Sequence, residues 1–212
     1  MIEWDKQAHG FLFIHSIIHS FYHSKLETLN RLDTDLFLWL NSLHAPWLDS
    51  IMVGATMRNT WIPFYALLIG WLIYQYRKLA FGLVLTLVLA VVLSDQMASS
   101  VLKPLTLRLR PCHEPALQKL IHPVLECGGT YGFASSHAAN TFALAMALWL
   151  MIGKRFWWVR WVFLWAAVVS YSRIYVGAHY PLDVLAGAGI GVLMAVGCVS
   201  LYRKLMILPP TP

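Results

Sequence analysis

Five apolar runs, separated by short charged breaks, limit this chain more than any other feature. They cover about Asn59 to Tyr74, Leu79 to Leu102, His137 to Ile152, Trp157 to Tyr171 and Pro181 to Leu201. Each approaches the roughly 20 residues that a helix needs to cross a hydrocarbon layer. Ile51 to Met57 extends the first run if its helix tilts. Inside a bilayer every backbone N–H and C=O must be paired within the protein, which leaves helices or closed barrels, and runs this long read as helices. Composition agrees: 58% of the 212 residues are hydrophobic and only 12% charged, against about 25% charged in a soluble domain. The expected fold is therefore all-α, an integral membrane bundle of five to six transmembrane helices with interfacial helices at its N-terminus. The divisions expected are an N-terminal interfacial segment over 1–50, a transmembrane core over 51–205 and a tail over 206–212.

The polar residues sort by end. Arg77/Lys78, Lys154/Arg155/Arg160 and Arg203/Lys204 fall at one end of the runs, which should be cytoplasmic. Lys103, Arg110, His137, Arg173, His179 and Asp183 fall at the other. A transporter would carry polar residues at mid-depth; here only Asp95 lies inside a run, and its expected role is pairing within the bundle. The net charge of +6 comes with no basic run longer than two residues, which excludes a polybasic nucleic-acid tail. The small residues of Ala186-Gly187-Ala188-Gly189-Ile190-Gly191 predict close helix packing behind His179.

The first fifty residues carry weaker signals. His15, His19 and His23 recur every fourth position along the apolar stretch Phe11 to Tyr22, which reads as the wet face of an interfacial helix rather than a metal site. The stretch is too short to span and has no cleavage-site pattern of a secretory signal. A second interfacial helix is expected over Asp33 to Trp47, with Leu36, Phe37, Leu40 and Leu43 on one side and Trp39 and Trp47 as anchors, ending at Pro46.

The densest chemistry lies in Ser172-Arg173-Ile174-Tyr175-Val176-Gly177-Ala178-His179-Tyr180-Pro181-Leu182-Asp183. Pro181 suits the first position of a helix, which puts Asp183 in the first turn, four residues from His179. A carboxylate there fixes the imidazole tautomer and leaves the other ring nitrogen free to attack. Arg173 and the helix N-terminus favour an anion beside it. A snorkelled Arg and an interfacial His capping a membrane helix is the plainer reading of the same twelve residues.

Two earlier stretches weigh in the balance. Lys103 and Arg110-Pro111 make a K-x6-R-P pattern, and Ala134-Ser135-Ser136-His137 puts a hydroxyl and an imidazole at the start of another apolar run. With S-R-x5-H-x3-D from Ser172 to Asp183, this closely resembles the three-part signature of the type 2 phosphatidic acid phosphatase superfamily. Those are membrane lipid phosphatases related to the vanadium haloperoxidases. The resemblance spans residues 103 to 183, and the flanking helices match in number and order. The middle part departs, since the family usually has Pro-Ser-Gly-His. There the Gly lets backbone N–H groups approach the phosphate; Ser136 keeps an N–H but adds a side chain.

The resemblance implies two-step phosphoryl transfer with no metal and no cofactor. His179 would be the nucleophile, Asp183 would orient it, and His137 would be the general acid and base. Lys103, Arg110 and Arg173 would hold the phosphate oxygens, with Ser135 and Ser136 as further donors. The implied partner is a membrane lipid within the bilayer, in a bacterial-type plasma membrane with the site facing the extracytoplasmic side. Compactness and short loops favour undecaprenyl diphosphate; phosphatidylglycerol phosphate, phosphatidic acid and lipid A phosphates are alternatives, and an inactive membrane scaffold is the alternative of another class. Cys112 and Cys127 can close a disulfide or stay as thiols, and Cys198 reads as a small apolar residue. His113 and His122 read as solvated loop residues that can also reach substrate. Arg108 reads as a contact to a headgroup or lipid phosphate.

Overall fold

The structure, a computed structural model, describes residues 25–206; the histidines His15, His19 and His23 lie outside the described residues. Among those described, all regular structure is helical. Helix α1 covers 25–42 and is followed by α2 (Pro46–Thr56), α3 (Ile62–Tyr76) and α4 (Ala80–Gln96). Next come a wide π-helical turn (Met97–Leu102), the single turn α5 (Lys103–Thr106), and then a long loop. The loop leads to α6 (Ser136–Ile152), α7 (Arg160–Tyr175) and α8 (Pro181–Met206). Two helical stretches are long and apolar enough to cross a membrane, Arg58–Thr106 and Pro181–Leu205, and α6 is a shorter apolar helix. Within the first stretch the chain turns at Arg77, which ends α3 at φ 50°. That turn falls at the Arg77/Lys78 break expected from sequence.

Helix α6 is the centre of the bundle. Ala138, Ala139, Ala143, Ala145, Ala147 and Leu148 are fully buried along it, and it packs against α4, α7 and α8. Small side chains let the helix axes approach closely. The expected glycine contact behind His179 is present. A Cβ on Gly187 would run into the Ser135 carbonyl, and one on Gly191 into the Ala139 carbonyl, whereas Gly189 faces open space.

Two expectations for the N-terminal segment are corrected. Pro46 does not end a helix; it opens α2 after an extended Ala45, because a first-turn residue needs no N–H partner. Nor is one helix continuous over Asp33 to Trp47, because α1 covers 25–42 and a non-helical link separates it from α2. Leu36 is 44% exposed and Leu43 48%, while Asp33, Phe37 and Asn41, at successive four-residue steps, are buried. Asn41 donates to the Ile174 and Tyr175 carbonyls, 3.2 and 2.7 Å away, and accepts from the His122 N–H. It thereby satisfies carbonyls that the end of α7 leaves open.

The loop between α5 and α6 is closed by a Cys112–Cys127 disulfide with Cα atoms 6.2 Å apart. His122 in that loop stacks on His44 and bonds Asp49, and Tyr175 also donates to Asp49. The Tyr175 hydroxyl, then His122, holds the Asp49 carboxyl below its ordinary range. His113 bonds the Gly128 carbonyl.

Candidate active site

At the α7–α8 junction the chain reverses within a few residues. Gly177 takes φ 72°, a conformation that costs a residue without Cβ little, and its carbonyl accepts from the Cys112 N–H. The Ala178 and His179 N–H groups both return to the Arg173 carbonyl, at 2.9 and 3.2 Å. This presses His179 into the protein, where it is 1% exposed. Burial, followed by the charges of Arg173 and Arg110, lowers its pKa to about 4, even though Asp183 opposes the shift. The ring is thus neutral at ordinary pH, as a nucleophile must be.

Asp183 is wholly buried in the first turn of α8. Its Oδ2 lies 3.5 Å from His179 Nδ1 and accepts from the Tyr180 N–H at 3.0 Å. Its Oδ1 accepts from Arg108 Nη1 at 2.6 Å. The imidazole–carboxylate separation exceeds a direct hydrogen bond, and Nδ1 has no other partner. The Asp183 carbonyl accepts from the Ser135 N–H at 2.9 Å, which fastens the start of α6 to the start of α8.

The remaining signature residues arrive from three directions. Lys103 opens α5 directly after the π-helical stretch that follows α4 and donates through Nζ to Ser136 Oγ, 2.9 Å away; Ser99 Oγ lies 2.8 Å from the same oxygen. A π-helical turn often marks a functional position in a helix. Arg110 is buried at the base of the disulfide loop, its Nε bonded to the Tyr131 carbonyl at 3.2 Å. Arg173, near the end of α7, donates to the Thr56 hydroxyl. His137 Nε2 lies 3.2 Å from the Thr56 carbonyl.

These groups form one electrostatic cluster. Arg110, Arg173 and Asp183 act on Lys103 and on His179, and His179, Arg173 and Lys103 act on His137. Two buried polar atoms beside it have no partner, Ser135 Oγ and Arg173 Nε. An unpaired buried donor is costly unless a ligand completes it. Three fixed cations, an unpaired hydroxyl and a neutral, oriented imidazole suit a tetrahedral oxyanion held in line for attack.

Sequence reasoning missed Thr56 and Asp33 and misread Arg108. Arg108 does not face a headgroup: its Nη2 bonds Asp33 Oδ2 at 2.6 Å, its Nη1 bonds Asp183, and its guanidinium lies 4.2 Å from the Tyr180 ring centre. Two carboxylates and an aromatic face outcompete solvent for it. No spacing in the chain signals these pairs, since both Arg108 partners are 75 residues away.

Comparison with known proteins places the chain in a family. The model of the PAP2 superfamily matches residues 77–207. The lipid A 4'-phosphatase of Bacteroides thetaiotaomicron is 40% identical over 169 residues, covering 78% of this chain and 75% of that protein. The undecaprenyl-diphosphatase of Sulfolobus acidocaldarius is 32% identical over 162 residues, covering 75% and 73%. The crystal structure of Aquifex aeolicus LpxE superposes with a TM-score of 0.65 at 28% identity, over 80% of this chain and 95% of that one. The match over residues 77–207 and the 40% identical phosphatase relative show that this chain belongs to the PAP2 superfamily and is a phosphatase.

Proposed function

We propose that this protein is a metal-independent phosphatase that removes a phosphate from a lipid A-type glycolipid through a phosphohistidine. The observation that carries the chemistry is the buried, neutral His179 beside the charges of Arg173 and Arg110, with Arg173 Nε and Ser135 Oγ unpaired. His179 Nε2 attacks phosphorus while Nδ1–H stays directed at Asp183. As the P–N bond forms, the P–O bond to the lipid breaks and His137 gives its proton to the departing oxygen. Water then attacks the phosphohistidine, His137 takes the water proton, the P–N bond breaks, and inorganic phosphate leaves. Lys103, Arg110 and Arg173 neutralise the non-bridging oxygens throughout, the task metal ions perform in other phosphoryl-transfer sites.

The substrate assignment rests on the lipid A 4'-phosphatase relative and on the fold match. It replaces undecaprenyl diphosphate as the first choice; that lipid stays as the second reading because the Sulfolobus undecaprenyl-diphosphatase covers three quarters of the chain. The orientation we infer has five spans, α3, α4 with its π-helical extension, α6, α7 and α8. The basic breaks Arg77/Lys78, Lys154/Arg155 and Arg203/Lys204 then face the cytoplasm and the site faces outward. The Cys112–Cys127 disulfide supports that side, since disulfides persist where thiols are oxidised.

The test is phosphate release in detergent with EDTA present, using lipid A and undecaprenyl diphosphate separately, for wild type and His179→Ala. Release from lipid A that survives chelation and disappears in the variant is expected. Release from undecaprenyl diphosphate alone would install the second reading. Release that requires a divalent ion, or that persists in His179→Ala, would overturn the mechanism.

A further inference from the structure

Helix α1 lies outside the part of the chain that the family model covers, yet one of its side chains reaches the core of the site. Asp33 is 4% exposed. Its Oδ1 accepts from the Leu182 N–H at 2.9 Å, and its Oδ2 accepts from Arg108 at 2.6 Å. The same guanidinium donates at 2.6 Å to Asp183, whose other oxygen faces His179. A line of groups therefore runs Asp33, Arg108, Asp183, His179, bonded as far as Asp183, whose Oδ2 then faces His179 Nδ1 across 3.5 Å. It starts on α1, crosses the loop after α5, and ends at the α7–α8 junction.

The geometry selects Arg for the middle place. A planar guanidinium can hold two carboxylates at fixed angles, whereas an ammonium is a point charge on a flexible stem. Stacking on the Tyr180 ring removes the remaining freedom of the plane. Asp183 in turn has little choice of rotamer, because one oxygen is bound by Arg108 and the other by the Tyr180 N–H. The charge pattern matters as much as the shape. Arg108 draws electron density from the carboxylate that must stabilise an imidazolium at His179, and Asp33 offsets part of that pull by claiming the other side of the guanidinium.

We propose that Asp33 and Arg108 are positioning residues for phosphoryl transfer: from outside the substrate pocket they set the place and the effective charge of the Asp183 carboxylate, and through it the orientation and basicity of His179. The proposal rests on His179 as the nucleophile, but it makes a prediction about the imidazole that needs no turnover. Losing Asp33 leaves Arg108 wholly to Asp183 and weakens imidazolium stabilisation. Losing Arg108 leaves the Asp183 charge unshared and strengthens it. The other groups around His179, namely Arg173 from α7, Arg110 from the loop, and His137 and Lys103 across the cluster, are the same in both cases.

The experiment is a ¹⁵N-histidine NMR titration of the full chain in detergent. The His179 signal is assigned among the nine histidines by its loss in His179→Ala. Asp33→Asn should move the His179 midpoint to lower pH, and Arg108→Gln should move it to higher pH. Packing alone gives no reason for opposite shifts. Midpoints that stay put, or that move the same way in both variants, overturn the proposal. Steady-state kinetics supply the second readout: kcat falls about tenfold in Asp33→Asn with KM within about twofold of wild type, as for groups that act only on the transition state. A rise in KM at unchanged kcat would make Asp33 or Arg108 a substrate contact and also overturn it. Should Asp33→Asn not fold, Arg108→Lys carries the test, because it keeps the charge and loses the fork. A lower kcat at unchanged KM sustains the proposal, and a wild-type kcat ends it. If His179→Ala still hydrolyses lipid, the nucleophile assignment fails while the titration continues to report on the coupling.

Discussion

Lys103 Nζ donates to Ser136 Oγ over 2.9 Å, so the residue that stands where the resembled signature has glycine holds one cation of the candidate site in place. Ser136 is the first residue of α6, and Ser99 bonds the same hydroxyl. The departure from Pro-Ser-Gly-His thus has its own structural use. Ser136→Gly should loosen Lys103 and raise KM about threefold to tenfold, the range expected for the loss of roughly 0.5–1.5 kcal/mol of one typical hydrogen bond. Kinetics on the purified variant decide it, and a wild-type KM would make the hydroxyl inert.

The glycines of α8 give a graded packing test. Gly187→Ala and Gly191→Ala force a methyl into the Ser135 and Ala139 carbonyls. Overpacking of this kind typically costs about 1–3 kcal/mol. Gly189→Ala meets nothing and should be neutral or stabilising by up to about 1 kcal/mol through helix propensity. Thermal unfolding in detergent compares the three. Gly187→Ala should also lose activity, because Ser135 and Ser136 begin the helix it displaces.

Reduction of the Cys112–Cys127 bridge, with its sequence separation of 15, should destabilise the loop by about 3 kcal/mol in the chain-entropy picture. Arg110 enters that loop and bonds the Tyr131 carbonyl on its far side. Dithiothreitol, or a Cys112→Ser/Cys127→Ser variant, should therefore lower both the melting temperature and the affinity for phosphate. Unchanged phosphate binding after full reduction would uncouple the bridge from the site.

Stability should fall with acid in a defined window. His179 has its pKa lowered from 6.5 to about 4 in the folded protein. Between those values the unfolded chain binds more protons than the folded one, so folding weakens as pH drops from about 6.5 towards 4. Melting curves across that range should flatten in His179→Asn. An equal slope in the variant would move the effect to another group.

The local frame of the candidate site was legible in the sequence because short-range rules hold it: Pro181 starts a helix, Asp183 follows His179 by four positions, and the basic breaks set which ends converge. The supports were not legible, for two physical reasons. Asp33, Arg108 and Thr56 find their partners across 75 to 149 positions, with no period to reveal them. The apolar residues of α1 also do not tell which of its sides faces the protein. Beside a lipid phase their preference for the interior weakens or reverses, and the buried line of α1 is Asp33, Phe37 and Asn41 while Leu26, Leu29, Leu32 and Leu36 stay exposed. The Pro46 error has the same character, since a proline is compatible with either end of a helix until its neighbours are known.

Asn41 and Asp33 have a consequence for where this enzyme can be cut. A fragment starting at Arg77 would contain all the signature residues from Lys103 to Asp183. It would lack the amide that closes the α7 carbonyls and the carboxylate that receives the Leu182 N–H. Such a piece would hold the reagents without the bench they stand on. The portion that the family model matches is shorter than the portion that must travel together, so grafts, truncations and chimaeras should be cut before α1, not at the border of that match.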